Sequence, residues 1–156
     1  IASEQELDNV FLKDATDFQE QEEAINSLEE MKEDLELIIV DSMVSLYRLK
    51  VNGDNASEIN NELSGQLSKL SGIARKQNIP VVITNQVYTS FEKEDLELVG
   101  RDVPKYWSKC LVQLSKDEKD VRRAEIAKHR SLPEGKKIQF HITDEGLETK
   151  EDGGLF

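Results

Sequence analysis

The sequence predicts an α/β protein, a parallel sheet with crossover helices followed by an antiparallel carboxyl-terminal extension. Three observations predict it. Two aliphatic runs, LELIIVD at 35–41 and IPVVITNQ at 79–86, have the length and β-branched content of buried strands. Between them Ile59, Leu63, Leu67, Leu70 and Ala74 recur at spacings of three and four, the period of a helix of roughly 20 residues with one apolar face. Beyond residue 108 the segments KCLVQLS, VRRAEIAKH and KKIQFHIT, with a charged turn at 116–120 and LPEG at 132–135, read as strands joined antiparallel.

The remaining elements follow in order. Residues 9–15, NVFLKDA, read as a short strand. Asp17 with Glu20 three residues on reads as a capping pair that opens a helix with Phe18, Ile25, Leu28 and Met31 on its apolar stripe. The first long strand then leads into SMVSLYRLKVNGDNAS, whose Asn-Gly-Asp-Asn cluster marks a loop. Asn78 ends the long helix. Residues 87–107 hold four of the nine aromatics and show no period, so they read as a long functional or mobile loop. One domain is expected over 1–150, with a flexible Gly-rich tail at 151–156.

Composition narrows the class of function. At 156 residues and 37% hydrophobic content the chain can build one ordinary core. No aliphatic run approaches the roughly 20 residues of a membrane span. A single cysteine, Cys110, and no basic leader fit a reducing, cytoplasmic setting, and a start at Ile1 reads as an incomplete or processed piece. The net charge of −12 argues against indiscriminate nucleic-acid binding. The charge is uneven, however: residues 101–137 carry 11 basic and 6 acidic side chains, so any polyanion contact is expected there.

The candidate chemistry sits at strand ends, because open parallel sheets bind ligands at the carboxyl ends of their strands. Asp41 and Ser42 close one strand, and a carboxylate there can orient a hydrated Mg²⁺. The bland alternative is a helix cap. Gln86 closes the next strand, where its amide can hydrogen-bond a terminal phosphate and report to the loop that follows. Lys128 and Arg130 alternate along a strand and would share a side, as two cations clamping a phosphate do. His129 and His141 stand without metal-ligand spacing and read as structural. The phosphate-binding pattern G-x-x-x-x-G-K-[ST] is absent, as is any Ser/His/Asp arrangement, which leaves enzyme status undecided for this chain.

LIIVDS, VVITNQV, the segment after it, LPEG and FHIT resemble, in order and spacing, the carboxyl-terminal part of the ATPase core of RecA/RadA-type recombinases. Within them the chain is most similar to an archaeal branch paralogous to the main recombinase. The resemblance implies a partial RecA-like P-loop NTPase core without its Walker A loop. It makes the LIIVD strand Walker B, with Asp41 a catalytic and metal residue, Ser42, Lys128 and Arg130 cofactor-binding, and Gln86 the residue that senses nucleotide. It implies DNA-facing loops at 43–56 and 87–107, with Arg101, Lys105, Tyr106, Trp107 and Lys109 touching DNA. Lys128-His129-Arg130 is similar to a K-x-R element that reaches a neighbouring subunit's nucleotide. Gly100-Arg101-Asp102 stands where those recombinases carry a glycine pair and a histidine, which implies little or no strand exchange.

The expected function is DNA repair and homologous recombination, with ATP and Mg²⁺ bound by the intact protein and weak ATPase activity. Expected partners are single-stranded or branched DNA, a recombinase or Holliday-junction nuclease, and further copies of the chain. The alternatives are a non-catalytic module that binds a recombinase or polymerase, and another ATPase of the RecA superfamily.

Overall fold

The computed structural model describes residues 8–31, 35–89, 96–100, 102–117 and 120–149. They fall into two compact units, Leu12–Trp107 and a second built on the chain from Ser108 onward. Among the described residues no helix is long and apolar enough to cross a membrane.

In the first unit, helix α1 (Phe18–Ser27) opens on Asp17, whose carboxylate accepts the backbone N–H of Gln19 at 2.8 Å and of Glu20 at 2.9 Å. Glu20 reaches one residue further back than a capping box requires, its Oε2 accepting both the backbone N–H and the hydroxyl of Thr16 at 2.8 Å. Those bonds, the backbone one foremost, hold the Glu20 carboxyl below its ordinary pKa. Asp17→Ala is expected to remove about 1 kcal/mol of stability, read as a shift in urea midpoint at constant slope.

Strand β1 (Ile38–Val40) leads through the short helix α2 (Ser45–Lys50) to the long helix α3 (Ala56–Gln77) and strand β2 (Val81–Ile83). β1 and β2 pair in parallel with Ile38 opposite Val81, Ile39 opposite Val82 and Val40 opposite Ile83. Parallel pairing needs a crossover, and α2 with α3 supplies it. α3 turns Ile59, Leu63, Gln66, Leu67, Leu70 and Ile73 inward, where they meet Phe18, Ile25, Ile38, Met43, Val44 and Tyr47. Asn78 ends α3 in the left-handed region, φ 55°, a conformation that Asn tolerates better than most residues. Inside this core the Gln21 amide donates to Gln66 Oε1 at 2.8 Å and to the Met43 carbonyl at 3.2 Å.

Three expectations are corrected in the chain up to Trp107. NVFLKDA is not a strand: Val10, Phe11 and Leu12 are exposed, and no ladder takes up their backbone groups among the described residues. The two central strands are three residues each and bury one face only. Ile38, Val40, Val81 and Ile83 meet the core, while Ile39 and Val82 are 61% and 49% exposed. Residues 87–107 are not a structureless loop. Strand β3 (Val87–Thr89) pairs antiparallel with β4 (Leu96–Leu98) as a hairpin stem, and helix α4 (Asp102–Trp107) follows. Three-residue strands are too short to display alternation in a sequence. Gly100, φ 82°, joins β4 to α4, and a Cβ there would lie 3.1 Å from Leu63 Cδ2.

The second unit is an antiparallel sheet ordered β5 (Leu111–Lys116), β6 (Val121–Lys128), β7 (Lys137–Thr143), β8 (Gly146–Thr149). Its first three strands match the sequence reading, and β8 adds a fourth. Cross-strand pairs Val112 with Ile126, Leu114 with Ala124, Ala124 with Ile138 and Ile142 with Leu147 put an apolar set on one face. β6 stops at Lys128, so strand alternation does not carry to Arg130, which lies in a bend. His129 makes that bend, its Nδ1 accepting the backbone N–H of Ser131 at 3.1 Å and Leu132 at 2.9 Å. The tail at 151–156 lies outside the described residues.

Candidate functional site

Asp41 is the first residue past β1 and is exposed, as expected of a carboxylate at the end of an aliphatic strand. Its Oδ1 accepts the Thr84 hydroxyl at 2.5 Å, a contact reaching from the neighbouring strand end. The two strand ends are further joined through the backbone, Thr84 N–H to Val40 O and Met43 N–H to Thr84 O, both at 3.1 Å. Ser42 follows through a cis peptide and its hydroxyl lies 2.5 Å from that of Ser45 at the start of α2. One carboxylate and three hydroxyls, those of Thr84, Ser42 and Ser45, thus stand at the carboxyl end of the parallel pair.

Gln86 lies between β2 and the hairpin. Its backbone carbonyl accepts the Val99 N–H at 3.0 Å, and its side-chain Oε1 accepts the Arg48 guanidinium at 2.5 Å. Asn85 braces the same turn, donating to Val99 O at 3.0 Å and Gln86 O at 3.3 Å. Its own Oδ1 is buried and takes no donor among the described residues. Arg48 is the functional candidate that sequence reading missed. No local signal marks it, because its partner is 38 residues away. Beside this contact an open groove of about 350 Å³ is lined by Tyr47, Arg48, Val51, Val87, Tyr88, Val99 and Gly100.

The other predicted residues are placed as follows. Lys105 and Tyr106 lie exposed on α4, Tyr106 at 74%. Trp107 is half-buried, donates its indole N–H to Ser64 Oγ at 3.0 Å, and meets the Tyr106 ring edge-on at 5.4 Å. Arg101 lies outside the described residues. Lys109, Lys128 and Arg130 belong to the second unit, where Lys109 and Arg130 are exposed and Lys128 Nζ donates to the Ser108 carbonyl at 2.9 Å. Asp41 and Ser42 follow β1, and Gln86 lies three residues past the end of its parallel partner β2.

Among the described residues no three carboxylate, histidine or cysteine side chains cluster, so a cation held at Asp41 would need water and phosphate oxygen to complete its shell. With Oδ1 bound by Thr84, Oδ2 is the carboxylate oxygen left to accept from such a water.

The protein-family model described as Rad51 matches residues 1–150. The chain belongs to the Rad51 family. Among curated relatives it is 37% identical over 149 residues to the DNA repair and recombination protein RadB of Methanobrevibacter smithii, spanning 90% of this chain and 63% of that one. It is 40% identical over 132 residues to RadB of Methanococcoides burtonii, with 83% and 59% covered. The crystal structure of the RadB recombinase superposes with a TM-score of 0.73 at 34% identity, covering 90% of this chain and 63% of that one. The Rad51-family chain therefore has the RecA-like fold and spans about three fifths of the length of the relatives it matches.

Proposed function

We propose that this chain serves DNA repair and homologous recombination as the Walker B half of a nucleotide-gated, DNA-binding ATPase. One observation carries the reading: Asp41 directly follows β1, Gln86 lies three residues past the end of its parallel partner β2, and the hairpin starts at the residue after Gln86. Asp41 would hold the water shell of Mg²⁺, Ser42 would assist it, and Gln86 would contact the terminal phosphate. When bound, ATP would supply the phosphoryl group and Mg²⁺ would offset the negative charge of its oxygens. The chain's own residues position and sense it.

Arg101, Lys105, Tyr106, Trp107 and Lys109 are assigned to DNA, Lys and Arg to phosphates and Tyr106 to base stacking, with Trp107 anchoring α4 through Ser64. Lys128 and Arg130 are assigned to a neighbouring copy's nucleotide. Little strand exchange fits Gly100-Arg101-Asp102 in place of a glycine pair and histidine, and weak ATPase activity is proposed with it. The favoured partners are single-stranded or branched DNA and a recombinase or Holliday-junction nuclease. Since Trp107 is the only tryptophan, single-stranded DNA is expected to change its emission at low salt, with affinity falling steeply as salt rises. Detectable binding with unchanged emission would remove α4 from the interface.

The second reading is a docking module for a recombinase that never uses nucleotide. It is favoured by the exposed apolar face of the second unit, where Val112, Leu114, Ile138, Ile142 and Leu147 are all more than half exposed.

A further inference from the structure

We infer that Arg48 is the positioning residue that sets the polarity of Gln86. A glutamine amide can face an anion with its NH₂ or a cation with its carbonyl, and a half-turn about one bond exchanges the two. A guanidinium has five N–H donors and no acceptor, so Arg48 can engage only Oε1. That contact commits the carbonyl end of Gln86 to α2 and leaves Nε2, a donor, as the end that takes no partner among the described residues. Phosphate oxygens only accept. Arg48 thus presets Gln86 to read an anion and to reject a cation, before any ligand arrives.

The same contact makes Gln86 a junction. Its side chain is tied to α2, the helix that follows Asp41, while its backbone carbonyl is tied through Val99 N–H to the chain returning from the hairpin. A pull on Nε2 therefore acts on α2 and the hairpin stem together. Arg48, Val87, Tyr88 and Val99 also line the groove beside the contact, so a shift of the junction reshapes the groove.

This inference rests on the nucleotide reading above, and the experiment separates the two. In the purified intact protein, amide hydrogen exchange at Val87–Thr89 and Leu96–Leu98 is measured with and without a saturating non-hydrolysable ATP analogue and Mg²⁺, while ¹⁵N NMR follows the Gln86 side-chain amide. The unsubstituted protein is expected to show an ordered Gln86 NH₂ pair and slower hairpin exchange with the analogue. Arg48→Met should average the NH₂ pair and cut the exchange response about tenfold, the size of a typical coupling between sites. Arg48→Lys, another pure donor, should restore part of it.

Gln86→Glu is the decisive variant, because it keeps an acceptor for Arg48 yet presents oxygen to the phosphate. It should hold the hairpin in place and lose the response. A full response in saturated Arg48→Met or Gln86→Glu overturns the role of Arg48 and leaves the nucleotide reading standing. Absence of analogue binding by the unsubstituted protein overturns both.

Discussion

Leu63→Ala is expected to lower the unfolding free energy by about 3–5 kcal/mol, the upper part of the range for a buried leucine. Leu63 has no solvent exposure and sits in the first half of α3, and its Cδ2 is also the atom nearest to a Cβ placed on Gly100. Truncation would leave a cavity between α3 and the turn into α4. Urea unfolding followed by circular dichroism measures it. A loss under about 1 kcal/mol would mean that the site collapses freely and that Leu63 is not central to the core.

Asp41→Ala is expected to reduce Mg²⁺-dependent nucleotide turnover by about 100-fold or more in the intact protein, the scale of losing one preorganised charged group at a phosphoryl-transfer site. The fold should tolerate the change, because Asp41 is exposed and its partner Thr84 is exposed too. Thermal unfolding run beside the assay separates loss of chemistry from loss of structure. Recombination in cells that survives this substitution would remove the Mg²⁺ role and favour the docking-module reading.

The long helix and its end were legible because local rules agree there: five apolar positions at helical spacing, then an asparagine suited to a left-handed residue. The strand ends were legible for the same reason, an aliphatic run stopping on Asp41 or on Thr84-Asn85-Gln86. NVFLKDA misled because strand content says nothing about a partner strand, and Val10, Phe11 and Leu12 found none among the described residues. The hairpin after Gln86 was hidden by strands of three residues. Arg48 was hidden by distance along the chain, since only the folded crossover brings α2 beside the end of β2. Arg130 shows the opposite error, a period of two extended past the point where His129 turns the chain.

The buried pair Gln21 and Gln66 has a consequence for how finely the site is set. Apolar side chains in a core tolerate sliding, since one methyl is much like another, but two amides that face each other at 2.8 Å do not. A shift of α1 along α3 by one turn would strand both in an apolar interior. The Gln21 amide also holds the carbonyl of Met43, two residues past Asp41. The pair therefore works as an index mark: it selects one alignment of the helices and ties that alignment to the backbone two residues past Asp41.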